Sequence, residues 1–163
     1  MRYIIIGLIL IFSVAVAAES LAPDFSLRDL DGALFNLEEN LGDKLVLIDF
    51  WATWCSPCMR YLPKLHEIQE LFIDELLLVT ISIDRPRNHS DVRRVIRSQN
   101  YDFITLLDPN GEVQRQYNVR TVPHTFLIDR EGRIVYDHSG YRQGDEEALI
   151  AKIRALLNNG ESE

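Results

Sequence analysis

Cys55 and Cys58 are the only cysteines in the 163-residue chain, and they stand together in Trp54-Cys55-Ser56-Pro57-Cys58. The motif follows directly on the apolar run Leu45-Val46-Leu47-Ile48-Asp49-Phe50-Trp51. A Cys-x-x-Cys placed where a buried strand gives way to a helix is a reversible dithiol/disulfide. The strand fixes its position, and the helix N-terminus supplies partial positive charge that lowers a thiol pKa. The chemistry this predicts is electron transfer through sulfur. Two blander uses compete poorly. A structural staple across so short a loop constrains the unfolded chain little. A zinc site needs four ligands, and His66, His89, His124 and His138 do not repeat at finger-like spacing. No metal and no cofactor is therefore expected.

Asp49 is the second residue to weigh. A carboxylate in the middle of an aliphatic strand is costly to bury unless it is protonated or paired. It reads either as a hydrogen-bonded structural acid or as a proton acceptor of raised pKa that serves Cys58. The second reading is preferred.

The surrounding pattern supplies the elements that must hold these groups. Asp31-Gly32 between short apolar alternations predicts a hairpin, and residues 44–51 predict a buried strand. Pro57 suits the first turn of a helix running to about Ile73, with Leu62, Leu65, Ile68 and Leu71–Phe72 at helical spacing and a kink at Pro63. Leu76–Ile83 reads as a second buried strand. A helix follows over Asp91–Ser98, capped by Ser90, then a third strand over Phe103–Leu107. Glu112–Tyr117 reads as a short helix. Thr125–Ile128 and Arg133–Asp137 form a terminal hairpin. A last helix spans Asp145–Asn158, with Gly160 beyond its end. Strands separated by helices, then a hairpin and a closing helix, give an α/β class with a mixed sheet covered on both faces. The dithiol then sits at the carboxyl end of a strand, where open α/β sheets place their sites.

Bulk properties narrow the function. Residues 1–18 carry a positive end, an apolar stretch over residues 3–16 and small residues at Ala15, Ala17 and Ala18, the layout of a secretory signal cleaved after Ala17 or Ala18. An uncleaved N-terminal anchor is the alternative. The formal net charge of −8 leaves no electrostatic footprint for nucleic acid or an anionic membrane. What remains, residues 22–158, is the size of one domain.

The segment Phe50-Trp51-Ala52-Thr53-Trp54-Cys55-Ser56-Pro57-Cys58, with Val122-Pro123 downstream, resembles the thioredoxin superfamily. Ala22-Pro23-Asp24-Phe25, Asp31-Gly32 and Trp51–Cys55 resemble its exported TlpA/ResA-type branch. The resemblance covers residues 22–158 and implies a thioredoxin-like fold: a mixed central sheet flanked by helices, with an N-terminal hairpin and a helix–strand insertion at about 90–107. It implies a protein-disulfide oxidoreductase in which Cys55 is the nucleophile and Cys58 the buried resolving thiol. Asp49, six residues before Cys55, matches the buried acid of thioredoxins, although the TlpA/ResA branch often has Asn there. Pro123 matches the superfamily's cis-proline, which implies that the Val122 backbone faces the dithiol and pairs with an extended client peptide. Trp54 is expected to line the same groove, with a core position as the alternative.

His124 stands where many relatives carry Thr and is a candidate modulator of the thiolate. The partners implied are a disulfide-bearing client, with apocytochrome c as one candidate, and a membrane-embedded thiol carrier as electron donor. A periplasmic monomer is expected. Two competing functions use the same residues. A copper metallochaperone would join the dithiol to His124 but normally has a wider Cys-x-x-x-Cys spacing. A thiol peroxidase would need a lone cysteine preceded by a Pro-x-x-x-Thr-x-x pattern, which this chain lacks.

Overall fold

The computed structural model describes residues 20–160; the expected export signal over residues 1–18 lies outside them. The sheet is built outward from two apolar runs. Leu45–Trp51 forms β3 and Leu76–Ser82 forms β4, and nearly every side chain of both is buried. That is the pattern of strands covered on both faces. They pair in parallel, with Asp49 opposite Thr80, across helix α1 (Ser56–Leu71).

On one side, β5 (Ile104–Leu107) pairs in parallel with β4 and antiparallel with β1 (Ser26–Asp29), which forms a hairpin with β2 (Leu34–Asn36). Gly32 takes φ +89° in that turn, a conformation that glycine adopts without steric cost. On the other side, β6 (His124–Ile128) runs antiparallel to β3, and β7 (Ile134–Ser139) antiparallel to β6. The order across the seven-stranded sheet is β2-β1-β5-β4-β3-β6-β7.

The remaining helices are α2 (His89–Ser98), α3 (Glu112–Gln116) and α4 (Asp145–Gly160). Alternation along the strands divides the apolar side chains into two cores. Leu47, Trp51, Leu78 and Leu127 pack against α1, α2 and α4 through Leu62, Leu65, Val92, Leu149 and Ile153. Ile48, Phe50, Ile81 and Phe126 face Val113 of α3, Tyr117 and the N-terminal segment through Phe25 and Phe35.

Three details differ from the sequence reading. Ser90 is not the cap of α2: a 3-10 turn at Pro86–Asn88 runs straight into a helix that begins at His89, with no side-chain cap. Pro86 presets the helical φ of that turn, and the His89 ring reaches the Asp84 carbonyl at 3.2 Å. Gly160 lies within α4 rather than past it. Leu71 is exposed, whereas Phe72 just beyond the helix fills the core.

Candidate active site

The end of β3 delivers the chain to a tight turn in which Cys55 is the N-cap of α1, with Pro57 in its first turn. Cys55 and Cys58 are joined as a disulfide, their Cα atoms 5.3 Å apart. The Cys55 sulfur accepts the Cys58 backbone N–H at 3.2 Å. Sulfur thus takes one of the amides that every helix start leaves without an intrahelical partner. In the reduced protein the same amide and the helix dipole favour a thiolate at this position. Cys55 is 5% exposed and Cys58 1%. Cys55 is therefore far more covered than its place at a helix end suggested.

Across from the dithiol, the Val122 carbonyl oxygen lies 3.5 Å from the Cys55 sulfur, and the Val122–Pro123 peptide bond is cis. Val122 and Pro123, with Pro57, form one wall of a groove of about 520 Å³, and His138, Tyr141 and Arg142 line the rest. Trp54 is 65% exposed. That rules out the core position weighed for it, and it stands beside the motif rather than in this groove. Asp145, at the start of α4, accepts the Arg142 backbone N–H at 2.7 Å and contacts His138 at 3.2 Å. The Arg142 amide, aided by His138, holds its carboxyl below the ordinary value.

On the face of the sheet covered by α1, Asp49 is 1% exposed. Its Oδ1 accepts the Thr125 hydroxyl at 2.8 Å, and its Oδ2 is buried with no partner. Burial pushes its carboxyl well above the usual carboxylate range, and the Thr125 hydrogen bond only partly opposes this. The register explains the company it keeps. Asp49 is paired with Thr80 and Thr125, Thr80 with Thr105, and Thr125 with His138. Directly paired residues share a face of the sheet. One polar residue from each of five strands therefore forms a row, Thr105-Thr80-Asp49-Thr125-His138, beneath α1 and α4. Thr80 donates to Thr105 at 3.1 Å. Tyr61, one turn after Cys58 on α1, is 3% exposed and lies against Thr125. Burial, with the Asp49 charge added, pushes its phenol far up.

His124 is elsewhere. Its ring stacks on Phe126 at 4.6 Å, and its Nε2 meets Asp137 at 2.7 Å. Its neighbour Thr125 points to Asp49, so alternation along β6 puts His124 on the opposite face of the sheet. The structure thus brings Cys55, Cys58, Val122 and Pro123 together, sets Asp49 on the face of the sheet that α1 covers, and leaves His124 on the other face. Among the described residues, no group of three or more His, Cys, Asp or Glu is placed to hold a metal ion.

Asp84 was not singled out by sequence. It is fully buried, and its carboxylate accepts the Thr53 N–H at 2.8 Å, the Thr53 hydroxyl at 2.7 Å and the Ser82 hydroxyl at 3.1 Å. It fastens the turn two residues ahead of Cys55 to the end of β4. The signal that could have found it is an acid at the end of a mostly aliphatic run, akin to the acid within such a run that marked Asp49. The threonines of the row carried a signal too, each being a single hydroxyl within an aliphatic strand.

Comparison with known proteins agrees with this geometry. The Redoxin family model matches residues 17–153. The thioredoxin-like protein YneN of Bacillus subtilis is 35% identical over 120 residues, covering 73% of this chain and 69% of its own. The thiol-disulfide oxidoreductase ResA of Geobacillus kaustophilus is 34% identical over 121 residues, covering 74% and 68%. Among solved structures, a Chlorobium tepidum protein described as a thiol:disulfide interchange protein DsbE superposes with a TM-score of 0.79 at 32% identity, over 88% of this chain and 99% of its own. The exposed lipoprotein thioredoxin Etrx1 of Streptococcus pneumoniae gives 0.69 at 29%, over 82% and 100%. The chain belongs to the Redoxin family and is a ResA-like protein-disulfide oxidoreductase of the thioredoxin superfamily.

Proposed function

We propose that the protein works outside the cytoplasm as a reductase of client disulfides, with Cys55 as nucleophile, Cys58 as resolving thiol and Asp49 as the acceptor of its proton. The observation that carries this reading is the Cys55 sulfur at a helix N-cap, 3.5 Å from the backbone carbonyl of Val122 at the edge of an open groove. In the reduced protein the Cys55 thiolate attacks one sulfur of a client disulfide, and the other client sulfur leaves as thiolate. Cys58 gives its proton to Asp49 and attacks the Cys55 sulfur of the mixed disulfide. The second client sulfur departs, two electrons have passed to the client, and the protein is left with the Cys55–Cys58 disulfide. An extended client segment along Val122 and Pro123 brings its disulfide in line, with Trp54 flanking it. His124 acts only at a distance, as a modulator through the sheet.

Export accords with the sequence of residues 1–18 and with a relative described as an exposed lipoprotein. Among the described residues no helix is long and apolar enough to cross a membrane. In an oxidising compartment a reductase needs re-reduction, which a membrane-embedded thiol carrier would supply; an apocytochrome c is a fitting client. The test is the reduction potential of the Cys55–Cys58 couple together with insulin reduction by the dithiol form. A potential nearer about −270 mV than about −120 mV, with rapid insulin reduction, is expected. A reducing potential without thiol exchange, or a reduced pair that diamide cannot oxidise, overturns the proposal.

A further inference from the structure

Asp49 is 1% exposed and burial favours its protonated form, so its own proton must leave before the carboxyl can accept one from Cys58, and that proton has no direct path to solvent. The polar row breaks the apolar layer on this side of the acid, and its last member reaches the surface. Thr125 donates to Asp49 Oδ1 at 2.8 Å. The Tyr61 hydroxyl lies against Thr125. His138, the cross-strand partner of Thr125, lines the groove, with its side chain 37% exposed. Directly opposed side chains on antiparallel strands have Cβ atoms only about 5 Å apart, a span that a phenol hydroxyl or one water closes. An imidazole is the side chain best suited to trade protons with solvent near neutrality.

We infer that the Asp49 proton leaves through the Thr125 and Tyr61 hydroxyls to His138 at the wall of the client groove. The inference rests on the reading of Asp49 as proton acceptor. The protonated Asp49 carboxyl passes its proton to the Thr125 oxygen as Thr125 passes its own to Tyr61. The Tyr61 proton goes to His138, which releases it to solvent. The hydroxyls then rotate back, and no hydroxyl gains or loses a proton overall. Every element packed on this face contributes titratable or charged groups: Cys58 and Tyr61 from α1, Tyr136 and His138 from β7, Tyr141 from the loop that follows, and Asp145 and Glu146 from α4. Tyr141 stacks on Tyr61 with ring centres 4.4 Å apart and donates to Glu146 at 3.1 Å, which restrains the Tyr61 ring. Asp145 holds the His138 ring at 3.2 Å.

The test uses the reduced full-length chain and an excess of 5,5′-dithiobis(2-nitrobenzoate). Attack by Cys55 releases a first thionitrobenzoate, and resolution by Cys58 releases the second. Asp49→Asn, Thr125→Val, Tyr61→Phe and His138→Gln are each expected to slow the second phase about tenfold near neutral pH. The first phase still runs to completion and reports an intact nucleophile loop. Added imidazole should restore His138→Gln but not Asp49→Asn. Parent-like second phases in Tyr61→Phe and His138→Gln, with Asp49→Asn slow, overturn the route and leave the acceptor role of Asp49 standing. A parent-like Asp49→Asn removes that role and the route with it. If Thr125→Val fails to fold, Thr125→Ser, which keeps the hydroxyl, is expected to match the parent; a slow second phase there counts against the route.

Discussion

The two oxygens of Asp49 occupy unlike surroundings: Oδ1 holds the Thr125 hydroxyl, and Oδ2 is buried without a partner. Burial raises the carboxyl above its ordinary range, and the sign of the resulting pH dependence follows from which state keeps the proton. Below the ordinary carboxylate range, folded and unfolded chains both hold it. As pH rises, the unfolded chain ionises first, binds fewer protons and gains relative to the folded one, so stability falls until the raised value is passed. Asp49→Asn removes this loss. Its denaturant midpoint should exceed the parent's by a margin that grows from acid to mildly alkaline pH, and parallel curves would show that Asp49 is already ionised in the folded state. The same variant should slow thiol exchange with insulin near neutrality. At the sulfurs, Cys58→Ser should trap client mixed disulfides visible on non-reducing gels, whereas Cys55→Ser should trap none.

At the scale of elements, Cys55 is held by more than the strand before it and the helix after it. Asp84 ties Thr53 to the end of β4 through both backbone and hydroxyl. Asp84→Ala strips partners from several buried donors at once, so a loss of roughly 2–4 kcal/mol in urea unfolding is expected. A loss below about 1 kcal/mol would mean that water or a neighbour takes over those bonds. The sequence made the motif, the acid on β3 and most of the strands legible, because apolar runs and period-2 alternation record burial directly. It showed Asp49 and the isolated hydroxyls but not the row they form from Thr105 to His138. Thr80, Thr125 and His138 lie far apart along the chain, and only the register of four strand pairs brings them under one helix layer. Asp84 escaped for a related reason. As the first polar residue after a strand it reads as a loop, although the loop folds back and buries it.

The whole molecule divides its labour between the faces of the sheet. The dithiol, the acid and the groove belong to the layer under α1 and α4, while the layer under α3 carries apolar and aromatic packing, with Phe50, Phe126 and Tyr117 in mutual contact. Leu65→Ala on α1 and Val113→Ala on α3 sit on opposite faces. The first should cost about 2–5 kcal/mol and the second less, as the smaller side chain. With a sheet between them, the double variant should add within about 0.5 kcal/mol by denaturant unfolding. A larger discrepancy would mean that the two layers yield together.

Trp54, left 65% exposed beside the disulfide while Trp51 is fully enclosed, gives this chain an optical consequence. Light absorbed by an indole next to a disulfide is readily lost to it, and an indole in water emits at longer wavelength than one in a core. Oxidation, reduction and the seating of a client each alter what surrounds that one ring. The redox state of the protein can therefore be followed by its own emission, without any attached dye.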